Sequence, residues 1–335
     1  MKPAVADGGG LPIQVILGPC DDMRAEVFVR VARPEVPCAS LRLAGELAGP
    51  ECRRSITLPA GAALADLGPG EAGLLAKAVL TEPAFWTPEL PNLYRLTARL
   101  VADGQTVAET TRWIGLRRSG VRGRSLWLDG RRWVPRGVAC KSHSCDVKAA
   151  RGVGVAAVVV DPQEDFLVAA DEAGLAIIAV AEEDNGRPRA AEKIVERMGR
   201  WAMHPAVVIT LLPQAVAESD VAALAALARR LKGTMLLVRA VDGASPPPGS
   251  VAAGIDGLCV ALDRGALPHD AWREAAPAVP LIAWQRGDAG HEPTRAACDR
   301  LQASLASWGL AAGGTHQPWD WAGYVVSSEV VGSLW

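Results

Sequence analysis

From Leu126 onward the chain alternates short apolar runs with longer Ala-rich or charged stretches, and no other feature limits the possible fold as much. Eight runs have strand character: RWVPRGVA (132–139), GVAAVVV (154–160), LAIIAVA (175–181), AVVITLLP (206–213), TMLLVRAV (234–241), GLCVALD (257–263), PLIAWQ (280–285) and WAGYVVSS (321–328). Between them AAEKIVERMGRWAM (190–203), ESDVAALAALARRLKG (218–233) and PTRAACDRLQASLASW (293–308) carry polar N-termini and apolar residues at helical i, i+3, i+4 spacing. Strands alternating with helices imply a parallel sheet, and eight such units imply a closed (β/α)8 barrel. With about 210 residues available, near the lower size of that fold, some helices are expected to be short or missing.

The first third has a different texture. VILG, AEVFVRVA, SLRLAGEL, RSITL, LAKAVL, YRLTARLVA and ETTRWIGLR alternate apolar with polar residues and are bounded by Gly, Pro and Asp. Seven segments at this spacing predict a β-sandwich, with a hairpin turn at Asp103-Gly104. The chain therefore divides into a sandwich over residues 1–120 and a barrel over 121–335.

One stretch of text at the junction carries a resemblance. FWTPELPNLYRLTARLVADGQTVAETTRWIGLR (85–117), followed by SLWLDGRRWVPRGV (125–138), resembles the end of the immunoglobulin-like domain and the first barrel strand of glycoside hydrolase family 2, which includes β-galactosidases, β-glucuronidases and β-mannosidases. Trp86, Pro88, Pro91, Asn92, Leu93, Tyr94, Gly115, Arg117, Gly130, Arg136 and Gly137 fall in that pattern. It continues through DEAGLAIIAVAEE (171–183) and WAMHPAVVITLLPQ (201–214). The resemblance implies an immunoglobulin-like sandwich followed by a small TIM barrel, without the family's usual N-terminal jelly roll.

The resemblance also implies two catalytic carboxyls, at the ends of the fourth and seventh barrel strands. A retaining glycosidase holds one as acid/base and one as nucleophile, about 5 to 5.5 Å apart. Here those strands end in Gln214 and Gln285. A glutamine side chain neither donates a proton as a general acid nor forms a stable glycosyl ester. After the second strand Val159, Val160 and Asp161 replace an Arg and a His of the family pattern, and Ala139-Cys140-Lys141-Ser142-His143 replaces its Asn and His-Glu region. The sequence thus predicts a pseudoenzyme with no catalytic residues and no cofactor.

Other candidates are weaker. Glu182, Glu183 and Asp184 cluster at the end of the third strand, as a relocated acid site or as a solvated loop before Gly186 and Pro188. Cys140, His143 and Cys145 have ligand chemistry but lack a fourth member for zinc, so free loop thiols beside a polar His are expected. His204, His269, His291 and His316 are isolated, with loop or capping roles. Trp319, Trp321 and Trp335 lie in a late segment with few charges, and Trp's large apolar face with one N–H suits an interface.

Bulk properties bound the partners. The 35 basic and 37 acidic side chains nearly cancel, which offers no net field for nucleic acid or an anionic bilayer. The opening MKPAVADGGGLP lacks the apolar core of a signal peptide, and the seven cysteines contain no CxxC pair, so a reducing, cytoplasmic setting is expected. The functional expectation is a scaffold or accessory subunit of a larger protein assembly. In overall type it is similar to a membrane-extrinsic subunit of a bacterial photosynthetic reaction-centre or light-harvesting complex. A carbohydrate-binding protein using the old cleft and a hydrolase with relocated carboxylates are the alternatives.

Overall fold

The computed structural model describes residues 11–32, 40–70, 73–181, 191–230, 235–274, 278–287, 294–310 and 321–328. The chain divides into two compact units, one of residues 1–86 and 90–116, the other of 87–89 and 117–335.

The first unit holds two four-stranded antiparallel sheets. One has the order β1 (Ile13–Cys20), β2 (Arg24–Val31), β6 (Gly73–Thr81), β5 (Ala65–Gly70); the other runs β4 (Ala60–Ala63), β3 (Leu41–Glu51), β7 (Leu93–Ala102), β8 (Gln105–Ile114). The alternation seen in the sequence becomes burial: Ala25, Val27, Val29 and Val31 of β2 point inward, as do Ala76, Ala78 and Leu80 of β6, Leu43 and Leu47 of β3, and Leu96 and Ala98 of β7. Asp103 and Gly104 both take positive φ, 49° and 82°, the primed turn that matches strand twist between β7 and β8. One predicted strand fails. RSITL (54–58) is a loop with Ile56 and Leu58 fully exposed, because its alternating pattern meets no sheet face to pack on. The chain instead pairs just beyond it, in β4 and β5, whose Ala- and Gly-rich text carries little strand signal.

The second unit opens with a three-stranded antiparallel sheet of β9 (Ser119–Arg122), β10 (Ser125–Leu128) and β11 (Arg131–Trp133). The run RWVPRGVA is therefore not one strand. Pro135 lacks an amide hydrogen and separates β11 from β12 (Arg136–Ala139). From β12 the chain forms a closed barrel of parallel strands in sequence order: β13 (Ala156–Val160), β14 (Ile177–Val180), β15 (Val207–Leu212), β16 (Leu236–Asp242), β17 (Gly257–Leu262), β18 (Leu281–Gln285) and β19 (Gly323–Val326), which pairs back to β12. Closure is tight at Gly137, where a Cβ would lie 2.6 Å from Val325 Cγ2 and 3.0 Å from Val158 Cγ2.

The helices are unequal, as the short length requires: α1 (Val147–Gly152), α2 (Glu164–Ala173), α3 (Ala191–Trp201), α4 (Glu218–Arg230), α5 (Ala271–Glu274) and α6 (Arg295–Leu310). In α3 the buried Ile194, Arg197, Met198 and Trp201 recur at helical spacing. α6 turns Cys298, Leu301, Leu305 and Trp308 inward and packs on β12 and β19. Arg136 of β12 reaches across to α6, with Nε 3.0 Å from Asp299 Oδ1 and a further bond to Gln302, while its guanidinium stacks on Tyr324 of β19 at 4.8 Å. Among the described residues no helix is long and apolar enough to cross a membrane.

Candidate functional site

Barrels of this class place their chemistry where strands end, because loops there converge on one rim. Gln285 is the last residue of β18 and is half-buried, with its carbonyl accepting from Ser327 N at 3.1 Å. Gln214 lies in an exposed turn two residues beyond β15. Beneath Gln285, the buried Trp284 donates its indole N–H to Ser327 Oγ at 2.9 Å, tying β18 to the end of β19.

Three carboxylates that follow barrel strands are already engaged. Asp161, after β13, pairs with Arg197 of α3 at 2.7 Å. Asp242, which ends β16, accepts from Ala244 N and from Ser245 Oγ at 3.1 and 2.8 Å, closing its own turn. Asp263, after β17, pairs with Arg286 at 2.8 Å. Glu182, Glu183 and Asp184 lie outside the described residues.

Next to Gln285 a cavity of about 430 Å³ opens over the ends of β17, β18 and β19, against the first half of α6. Arg264, Arg300, Ser304 and Ser327 line it with Gln285, and Gln214 does not. Sequence reasoning missed the two arginines. Arg264 sits in a loop and Arg300 on the polar side of a helix, so only the closed barrel brings them to one wall.

A second cavity, of about 1030 Å³, lies between α1 and α6 at the ends of β12 and β13, and here the structure gathers Cys140, His143 and Cys145. The Cys140 thiol hydrogen-bonds to Cys145, which raises the pKa of Cys140 and lowers that of Cys145. Among the described residues no three of His, Cys, Asp and Glu form a group able to hold a metal, so the zinc alternative gains no support.

The isolated histidines have different fates. His269 caps α5, accepting from Ala271 N at 3.0 Å, while His291 and His316 lie outside the described residues. His204 departs from the expected loop role, being buried in a polar cluster. Its Nδ1 lies 2.7 Å from Asp171 Oδ2 and its Nε2 3.2 Å from Glu164 Oε2, both on α2. Asp171 also accepts from Ala206 N at 2.9 Å. Arg117, 2% exposed, donates to the carbonyls of His204 and Pro205. Burial pushes the pKa of Asp171 up against the opposing pull of His204, and pushes that of Arg117 down to about 9. The cluster locks the segment entering β15 to the last turn of α2, so its role is structural. The sequence signal was the pair Asp171 and His204-Pro205 in the family text, which spacing alone does not connect.

Of the three interface candidates, Trp321 is buried at 2% exposure beside β19 and cannot serve as a surface anchor, which corrects that expectation. Its apolar neighbourhood reflects core packing. Trp319 and Trp335 lie outside the described residues.

With this geometry established, comparison with known proteins places the fold. Residues 23–117 match the family model of glycosyl hydrolases family 2, so the chain carries a domain of that type. None of the curated proteins searched matches it. Solved structures are similar over nearly the whole chain. A glycosyl hydrolase family 2 member from Bacteroides cellulosilyticus aligns at 14% identity and TM-score 0.65, covering 96% of this chain and 44% of the other. The Bifidobacterium dentium β-glucuronidase aligns at 14% and 0.64, covering 94% and 59%. A β-glycosidase from Bacteroides vulgatus aligns at 14% and 0.59, covering 81% and 37%. The chain thus spans less than two thirds of the length of each. At such identity the likeness establishes the fold. None of these three is a photosynthetic subunit, and the resemblance to such complexes draws no support from them.

Proposed function

We propose that this protein is a non-catalytic relative of family 2 glycosidases, an immunoglobulin-like sandwich and TIM barrel retained as a scaffold or accessory subunit of a larger protein assembly. The observation that carries the reading is the rim. Gln214 and Gln285 stand where β15 and β18 end, and Asp161, Asp242 and Asp263 are held by ion pairs or turn hydrogen bonds. Double displacement needs one carboxyl free to attack and one free to deliver a proton. With that chemistry gone, a use for the folded body through its outer surface explains why the patterning of both units persists. The partner class proposed is a set of protein subunits, and the narrower form of the proposal is peripheral attachment at the cytoplasmic face of a membrane complex such as a photosynthetic reaction centre.

The test has two parts. The wild type and the Gln214→Glu/Gln285→Glu double variant are assayed against aryl β-galactosides, β-glucuronides and β-mannosides, with no useful turnover expected from either, since neighbouring sugar-positioning groups also differ from the family pattern. Turnover by the wild type that Gln285→Ala abolishes would overturn the reading. In parallel, native membranes are solubilised in mild detergent and the protein is captured. Stoichiometric co-purifying subunits are expected, and a lone monomer at every salt and detergent condition counts against the scaffold role.

A further inference from the structure

Two cysteines share a cavity wall that a scaffold does not require. Cys259 and Cys298 are buried in the barrel, whereas Cys140 and Cys145 are half-buried free thiols that line the cavity of about 1030 Å³ at the ends of β12 and β13. The local chain brings the pair together. Cys140, just beyond β12, donates its N–H to Val158 O of β13 at 3.0 Å. The chain then folds back, with Ser144 N and Cys145 N both donating to the Lys141 carbonyl, at 3.1 and 3.0 Å. Asp146 ends this turn by capping α1, accepting from Lys148 N and Ala149 N at 2.9 and 3.0 Å. The step from Cys140 to Cys145 is thus fixed at both ends, and the two thiols meet in a hydrogen bond. That contact makes them unequal. The bond and burial push Cys140 up, so it keeps its proton, while the same bond lowers Cys145 against the opposing effects of desolvation and the Asp146 carboxylate. Thiolate is the nucleophilic form, so attack belongs to Cys145 and resolution to Cys140.

We propose that Cys140 and Cys145 form a redox-active dithiol site, which exchanges with low-molecular-weight disulfides entering the cavity and closes reversibly into an intramolecular disulfide. First the Cys145 sulfur attacks one sulfur of the disulfide RSSR. A Cys145–SR bond forms, the RS–SR bond breaks, and the RS⁻ that leaves takes a proton from water. Cys140 then gives its proton to water, its sulfur attacks Cys145 Sγ, and the second RS⁻ leaves and is protonated. Two electrons pass from the protein to RSSR, which ends as two RSH, and an excess of reduced thiol reverses the sequence. The cavity lies at the upper end of the roughly 300–1,000 Å³ that small-molecule sites occupy, so it admits a thiol of short-peptide size. This chemistry needs no partner subunit and is independent of the scaffold reading.

The test incubates the reduced full chain with excess oxidised glutathione at neutral pH, quenches with acid, blocks free thiols with N-ethylmaleimide and maps the products by mass spectrometry. A Cys140–Cys145 disulfide is expected, reversed by dithiothreitol and formed about tenfold or more faster than in the same chain unfolded in urea, where only sequence spacing brings the thiols together. Cys140→Ser should trap glutathione on Cys145. Cys145→Ser should leave Cys140 reacting about tenfold or more slowly than Cys145 does in the wild type. Should either variant not fold, the wild type alone decides: phenylarsine oxide, which bridges two adjacent thiols, should shield Cys140 and Cys145 from N-ethylmaleimide together. No Cys140–Cys145 disulfide, formation no faster than in urea, or an arsenical that shields neither thiol overturns the proposal.

Discussion

Replacing Asp171 by Ala tests whether the buried polar cluster holds the helix of the barrel's second unit to the start of its fourth strand. In the wild type its two carboxylate oxygens are divided, one toward His204 Nδ1 at 2.7 Å and one toward Ala206 N at 2.9 Å. It is also the counter-charge for Arg117, whose pKa of about 9 keeps the guanidinium protonated at neutral pH although it is fully buried. Removing one partner of a buried charged network costs about 3–5 kcal/mol, because the remaining charge and donors stay desolvated. For a domain of about 150–250 residues each kcal/mol moves Tm by roughly 2–4 °C, so the barrel transition should fall by roughly 6–20 °C. Asp171→Asn should cost less than Ala, since its amide oxygen can still accept from Ala206 N, while Arg117 loses its counter-charge in both. Urea melts followed by tryptophan fluorescence, for both variants and for Arg117→Met alone and combined with Asp171→Ala, would measure this. A loss under about 1 kcal/mol for Asp171→Ala, or strict additivity in the cycle, would refute the idea that the cluster acts as one network.

Further outcomes follow from the same geometry. Gly137→Ala should destabilise the barrel by about 1–3 kcal/mol in chemical denaturation, because its Cβ would lie 2.6 Å from Val325 Cγ2 inside a closed ring. Trp284→Phe should cost about 1–3 kcal/mol by leaving the buried Ser327 hydroxyl without its donor, a loss visible in the same melts. Mass-spectrometric mapping of iodoacetamide labelling should find Cys145 modified well before the buried Cys259 and Cys298, since the Cys140 hydrogen bond lowers its pKa whereas burial raises theirs. Burial also pushes Cys298 up to about 12 from an ordinary 9.0, so the folded state keeps a proton that the unfolded state releases between those values. The stability contributed by that group is therefore present below pH 9 and declines as pH rises toward 12, and Cys298→Ala should show a flatter alkaline limb than the wild type in pH-dependent melts.

What could be read in the sequence and what could not divide along one physical line. The eight barrel strands stand out in the sequence because strands such as β15 and β17 are near-continuous apolar runs, broken in β15 only by Thr210, a pattern that burial on both faces rewards, and the interrupting helices show their 3.6-residue period in residues such as Ile194, Met198 and Trp201. Strands β4 and β5 carry little sequence signal, and RSITL carries the signal without the strand, because a strand is defined by its partner. Ala and Gly pair well when a neighbour such as β3 or β6 is already in place, while Ile56 and Leu58 alternate correctly beside nothing. The same dependence governs the site. Gln214 and Gln285 could be placed from the text because each terminates an apolar run, so their position on the rim is local information. The arginine wall is not local: Arg264 and Arg300 are brought together only when α6 lies against β19 and the loop after β17 reaches the same rim. Trp321 failed as an interface candidate for the opposite reason. Its flank has few charges because it leads into the buried β19, and a one-dimensional reading cannot tell an apolar segment that faces a partner from one that faces its own core. A wall lined by both Arg264 and Arg300 is therefore a feature that sequence composition hides and barrel closure creates.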